Sequence, residues 1–183
     1  MSLKYILLGF LSYGPQTGYD LKKYIDNSTQ FFWHAKLSQI YPTLGELAQQ
    51  GFVEANVVPQ EGKPDKKIYS ITEAGRATLM DWLAEPINKL PPTKDPALLK
   101  LFFSGVLDKE RLLAQLRRQL SLHRTQLAHY QQETLAYIEQ VIAETGLTGE
   151  GKLWELTRQF GEEYERTYIC WLEQAIETVE QEL

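Results

Sequence analysis

Lys63, Lys66 and Lys67 crowd around Pro64-Asp65, and Lys22 and Lys23 follow closely on Thr17. Clustered ammonium groups of this kind suit phosphate. Each phosphate neutralised releases condensed counterions, so the binding weakens steeply with salt. A second run, Lys36, Ser38, Gln39, Tyr41 and Thr43, mixes donors and acceptors at the start of a helical pattern. Such side chains read base edges in the major groove: Gln39 can pair adenine in bidentate fashion, and Lys36 suits guanine or phosphate. The N–H groups at the helix start near Thr17 would take another phosphate. Tyr41 can pack its ring while its hydroxyl reaches a phosphate.

Other chemistries lack their residues. His34, His123 and His129 are scattered, without carboxylates or thiols at ligand spacing, so no metal is expected. The lone Cys170 excludes an intramolecular disulfide and is expected to be buried and inert. There is no Gly-rich phosphate loop, no Ser-His-Asp context and no carboxylate pair in a predicted pocket. The glutamates of residues 133–182 recur at helical surface spacing and read as solvated faces. The chain is therefore not expected to be an enzyme or to need a cofactor.

The positioning elements follow from periodicity. Leu3, Ile6, Leu7, Phe10 and Leu11 mark a first helix, stopped at Gly14-Pro15. Thr17 with Asp20 three residues on resembles a capping box, opening a second helix with Leu21, Tyr24 and Ile25 inward. A third helix over about 36–50 sets Leu37, Ile40, Tyr41, Leu44 and Leu47 on one face, with Gly51 ending it and Pro42 distorting its first turns. Lys36, Gln39, Thr43, Glu46 and Gln50 then lie opposite, with Glu46 expected out of the groove. Phe52–Val58 and Lys66–Ile71 read as strands around a turn, and Thr72 caps a fourth helix holding Leu79, Trp82 and Leu83. Helix, helix, helix, hairpin, helix is winged helix-turn-helix order.

Four prolines between Pro86 and Pro96 mark a domain boundary, giving domains 1–86 and 93–183. A short apolar helix follows, Ala97 to Phe103. A long helix over about 108–144 then carries a heptad seam from Leu113 through His123 and Tyr130 to Val141. Gly146 to Gly151 breaks it before a last helix over about 152–182. The fold class is mainly α: a winged helix-turn-helix domain and a long-helix domain. The net charge of −5 lies entirely in the second half, since residues 1–90 hold 9 basic and 9 acidic side chains against 10 and 15 in 91–183. A basic stripe on the first half can still meet phosphate. No run of apolar residues is long enough for a membrane span, and the start lacks a signal-peptide pattern, so a soluble, cytoplasmic protein is expected.

Tyr13-Gly14-Pro15-x-Thr17-Gly18-Tyr19-Asp20-Leu21, Phe32-Trp33, the run from Gln39 to Val53, and Lys67-x-Tyr69-x-Ile71-Thr72-x-x-Gly75-Arg76 resemble the PadR family N-terminal domain. Residues 93–180 are similar to the helical C-terminal domain of the virulence-activator alpha subgroup. The resemblance implies a homodimeric transcription regulator, usually a repressor, that leaves DNA when a small molecule binds. It also implies that Tyr41 and the wing lysines lie at the DNA. Gly45, Gln49 and Gln50 stand where many relatives carry charge.

Two groups of aromatics stay open between readings. Phe31, Phe32 and Trp33 suit core packing or an effector pocket. Tyr130, Tyr137, Tyr164, Tyr168 and Trp171 suit a dimer interface or a site for a small aromatic effector. The long helices are expected to need a second chain to bury their stripes, which would place two recognition helices on an inverted-repeat operator of double-stranded DNA. The rival reading is a helical protein-interaction module that has lost DNA binding, supported by the zero net charge of residues 1–90.

Overall fold

The computed structural model describes residues 3–29, 32–60, 62, 65–90 and 93–183. The chain forms two compact units, Met1–Leu90 and Pro91–Leu183.

In the first unit, α1 (Leu3–Ser12), α2 (Gly18–Ser28) and α3 (Leu37–Gln49) meet around leucine and isoleucine. Leu7, Leu8, Leu11, Leu21, Ile25, Ile40, Leu44 and Leu47 are each exposed by 1% or less. Burying such a side chain is worth roughly 1.5–3 kcal/mol, so this cluster holds the three helices to one another. The capping box at α2 forms as read. The Asp20 N–H donates to Thr17 Oγ1 at 3.1 Å, and the Thr17 N–H donates to Asp20 Oδ2 at 3.2 Å. At the end of α3, Gly51 takes φ 74° and the Phe52 N–H donates to the Leu47 carbonyl at 2.9 Å, closing a Schellman turn. The helix continues through Pro42 without a break. The cost is confined to the Ser38 carbonyl, which loses its helical donor on an exposed turn.

Strands β2 (Val53–Val58) and β3 (Lys66–Ile71) form the wing in register Val53↔Ile71 to Val58↔Lys66. A two-residue strand not anticipated from the sequence, β1 (Gln16–Thr17), joins the other edge of β3 and makes the sheet three-stranded, in order β1-β3-β2. It ties the start of α2 to the base of the wing. Thr72 caps α4 (Glu73–Ala84), and its hydroxyl also donates to the Gly51 carbonyl at 2.7 Å. Leu79 is buried and Trp82 stacks on Tyr5 at 4.5 Å, while Leu83 faces solvent.

The second unit holds α5 (Pro96–Phe102), a 3₁₀ turn, α6 (Lys109–His129), α7 (Leu135–Thr145) and α8 (Thr148–Glu182). A π-helical turn, Tyr130–Thr134, joins α6 to α7 where an unbroken helix was expected. Gly146, at φ 72°, is the residue that turns the chain. The glycines at 149 and 151 already lie inside α8, which starts earlier than expected. α8 runs back along α6 and α7, burying Leu112, Leu113, Leu116, Leu172 and Val179. Much of the heptad seam is thus covered within one chain, correcting the expectation that a second copy must cover it. No helix among the described residues is long and apolar enough to cross a membrane.

Candidate nucleic-acid interface

Helices α2 and α3 each present polar side chains to solvent. Ile40, Leu44 and Leu47 turn inward, and Ala35, only 4% exposed, anchors the chain just before α3. Lys36, Ser38, Gln39, Glu46 and Gln50 are exposed. Two assignments to the inner face are corrected: Leu37 is 36% exposed and Tyr41 46%. Tyr41 instead lays its ring over Gly18, where a Cβ would come within 2.6 Å of the ring. Glycine at 18 therefore lets α3 approach the start of α2, a role the sequence reading missed. Tyr69 sits buried on β3; burial raises its hydroxyl pKa and nearby Tyr41 adds to the shift.

Several polar side chains are already engaged. The Lys36 N–H donates to Gln39 Oε1 at 3.0 Å, and the Thr43 hydroxyl donates to the Gln39 carbonyl at 2.8 Å. Gln39 must release its own helix start before it can pair a base in bidentate fashion. Thr17 is 8% exposed, and its N–H and hydroxyl both go to Asp20. It fixes the start of α2 rather than offering a donor of its own. Lys22 pairs with Asp26 one turn on, which reduces its pull on phosphate, while Lys23 is exposed with no ion pair among the described residues.

On the wing, Lys66 and Lys67 are exposed, and Lys63 lies outside the described residues. Lys66 and Lys67 are successive strand residues and point to opposite faces of the sheet, so they do not form one cluster. Phe32 is 61% exposed and Trp33 37%; Phe31 lies outside the described residues.

The polar interior of the second unit was not legible beforehand. Tyr130 is 7% exposed with its ring against Gly161, so it packs within the chain. Burial, then Glu165, pushes its hydroxyl up to about 12. His123 Nδ1 meets Glu165 Oε2 at 2.5 Å, and the imidazole stacks on Tyr168 at 3.9 Å. The Tyr168 hydroxyl donates to Asp95 Oδ2 at 2.8 Å, while Asp95 Oδ1 accepts the Ala97 and Leu98 N–H groups at the start of α5. Burial works against the Asp95 carboxylate, but these hydrogen bonds hold its pKa below the ordinary value.

Arg158 is buried. It donates to the Tyr130 carbonyl at 3.2 Å and pairs with Glu155 and Glu162. It thereby satisfies a carbonyl of the π turn. Glu162 also accepts from Gln131 and Arg166, and these bonds lower its carboxyl to about 2. The expectation that these glutamates form a solvated face therefore fails for Glu162 and Glu165. Cys170 is exposed, contrary to expectation. His129 also gains a carboxylate, Glu133, at 2.8 Å, but no group of three or more such side chains is placed to hold a metal among the described residues. Tyr164 is 46% exposed on α8, in line with exposed Leu153, Leu156 and Phe160, and Trp171 is half-buried.

Comparison with known proteins places this geometry. Residues 7–81 match the transcriptional regulator PadR-like family, and residues 93–180 match the virulence activator alpha C-terminal family. The negative transcriptional regulator PadR of Bacillus subtilis is 32% identical over 184 residues, 98% of each chain. Its structure with operator DNA superposes with a TM-score of 0.82 at 30% identity, covering 97% of this chain and 98% of that one. Its structure with p-coumaric acid gives 0.78 at 29%, covering 98% and 99%.

Proposed function

The chain belongs to the PadR-like family of transcriptional regulators, and from that we propose that it is a homodimeric, sequence-specific DNA-binding repressor released by a small molecule. In this reading residues 1–86 bind DNA and residues 93–183 dimerise, in the cytoplasm. The observation that carries the reading is the exposed N-terminal half of α3 in a chain that resembles, over nearly its full length, a regulator seen on operator DNA. The likeness to the same regulator holding p-coumaric acid supports release by an effector.

Lys36, Ser38, Gln39, Tyr41 and Thr43 face the major groove, with Gln39 exchanging its bond to the Lys36 N–H for a base. Lys63, Lys66 and Lys67 on the wing meet phosphate, and Thr17 and Lys22 hold the α2 end of the surface. Leu153, Leu156, Phe160 and Tyr164 form an apolar stripe on α8 for the second subunit. Two-fold symmetry then sets the recognition helices about 34–36 Å apart, one turn of DNA, on an inverted repeat.

Fluorescence anisotropy over a salt series tests this. Replacing Lys66 and Lys67 by alanine weakens binding to every duplex alike and lowers the slope of log K against log salt by roughly two. An unchanged slope removes the wing from the interface. The zero net charge of residues 1–90 favours a second reading, a protein-binding module, and that reading wins if no duplex binds even at low salt.

A further inference from the structure

Three elements that carry the proposed DNA contacts meet at Tyr41. Its ring comes from α3 and lies across Gly18, the first residue of α2, where a Cβ would stand 2.6 Å from ring Cε1 and 2.9 Å from Cζ. Thr17, one residue earlier, pairs with Ile68 of β3, and Gln16 pairs with Tyr69. That register brings the base of the wing to the same spot. Tyr69 is buried there, and its hydroxyl pKa is raised by that burial and then by Tyr41.

The backbone gives Gly18 no reason to be glycine. The positive φ values among the described glycines fall at Gly14, Gly51, Gly62 and Gly146, not here. Alanine is the best helix former, and Gly18 opens a helix. What excludes a side chain is the ring, since the three atoms nearest to such a Cβ all belong to Tyr41. Yet Tyr41 is 46% exposed, so it gains little from burial in that seat. The start of α2 is built around a ring that the core does not need.

We propose that Gly18 and Tyr69 are positioning residues for base reading: they hold Tyr41 in one pose, and so fix α3, the start of α2 and the wing in a single register on DNA. The inference rests on the DNA-binding reading above. Lysines on flexible stems follow a phosphate through a small shift. Hydrogen bonds to base edges do not, because they weaken steeply once distance and angle leave their optimum. Displacing the Tyr41 ring therefore removes sequence discrimination and leaves non-specific attraction in place.

The full-length protein first selects its preferred sequence from a duplex library with a randomised centre. Anisotropy on that duplex and on a shuffled one of equal composition, over a salt series, then reads discrimination and salt slope separately. G18A is expected to melt as wild type does, because the ring can swing into solvent. It is expected to lose about tenfold of the preference for the selected duplex, with shuffled-duplex affinity and salt slope unchanged. In a Y41A background the same substitution is expected to cost nothing further, because it acts only through the ring. Y69F is expected to keep the preference, and Y69L, which fills the core without a ring, to lose it.

An unchanged preference in G18A overturns the proposal, and so does an equal loss on both duplexes. A loss of the same size in the Y41A background also overturns it, placing the effect in α2 itself. Should G18A fail to fold, Y69L against Y69F decides by the same comparison. A wild type that selects no sequence removes the DNA-binding reading and this proposal with it. A wild type and a G18A that select equally well remove this proposal alone.

Discussion

Among the described residues of 1–90, eight leucines and isoleucines from three helices are buried to 1% exposure or less, whereas among those of 91–183 only Leu172 is. The second unit instead buries Arg158 and Glu165, half-buries His123, and leaves Leu98, Leu99, Phe102, Phe103, Leu153, Leu156 and Phe160 exposed. The first unit completes its core alone and exposes polar side chains on α3, and it too leaves large apolar residues exposed, Phe32, Met80, Leu83, Ile87 and Leu90 among them. The second uses ion pairs to hold two long helices together and leaves apolar surface over. Contiguous apolar surface of this kind marks an interface. The difference teaches that the first unit holds its helices together with an aliphatic core, whereas the second does so in part with ion pairs and lines exposed apolar residues along α8.

The strongest way to break this comparison is to charge the leftover surface. Leu156→Asp with Phe160→Asp is expected to leave a folded monomer and to weaken operator binding by about a hundredfold or more, because two linked half-sites become independent ones. Light scattering after size exclusion and anisotropy on the same samples read both effects. Met80→Asp, at a position 65% exposed on the first unit, is expected to change neither. A dimer that survives the double substitution would show that α8 finishes its surface elsewhere.

A smaller effect compares the rigidity of the two interiors at close-packed glycines. A Cβ at Gly75 would lie 2.1 Å from the Phe52 carbonyl oxygen, which the hydrogen bond to the Thr72 N–H holds in place. A Cβ at Gly161 would lie 2.4 Å from the Tyr130 ring, a side chain. Backbone cannot step aside as a ring can. Gly75→Ala is therefore expected to lose about 3 kcal/mol and Gly161→Ala about 1–2 kcal/mol, within the usual cost of overpacking. Urea unfolding of each variant decides the order, and the reverse order would make the second interior the stiffer one.

The same contrast governs what could be read in advance. The helices of the first unit, both threonine caps, the turn at Gly51 and the wing strands were legible, because local periodicity and turn chemistry agree with the fold there. The two-residue β1 was not: it is too short to show alternation, and its pairing with β3 is non-local. Leu37 and Tyr41 were placed inside because helical spacing alone cannot tell a core face from a seat against Gly18. In the second unit the helices were legible but the pairing of their polar residues was not. His123 and Glu165 lie 42 positions apart, and the π turn at Tyr130 shifts the register that would have aligned them. Arg158 reads as a surface residue because its acceptor, the Tyr130 carbonyl, lies 28 positions away.

The smallest effect concerns that same hub and distinguishes the units by pH. Hydrogen bonds from Gln131, Arg166 and Arg158 lower the Glu162 carboxyl from its ordinary 4.5 to about 2. Because the folded-state value lies below the unfolded one, the stabilisation is complete above about pH 4.5 and fades as pH falls toward 2. Glu162→Gln keeps the shape but has no such dependence, so its thermal midpoint is expected to be lower than wild type at neutral pH, with a gap that narrows steadily from about pH 4.5 to 3 and closes only near pH 2. The fall belongs to the second unit, since the first buries no carboxylate among its described residues. Circular dichroism melts at pH 7, 5, 4 and 3 read it directly. Parallel curves for the two proteins across that range would mean that the Arg158 hub holds α8 by packing alone, and that the ion pairs of the second unit do not replace the core the first unit has.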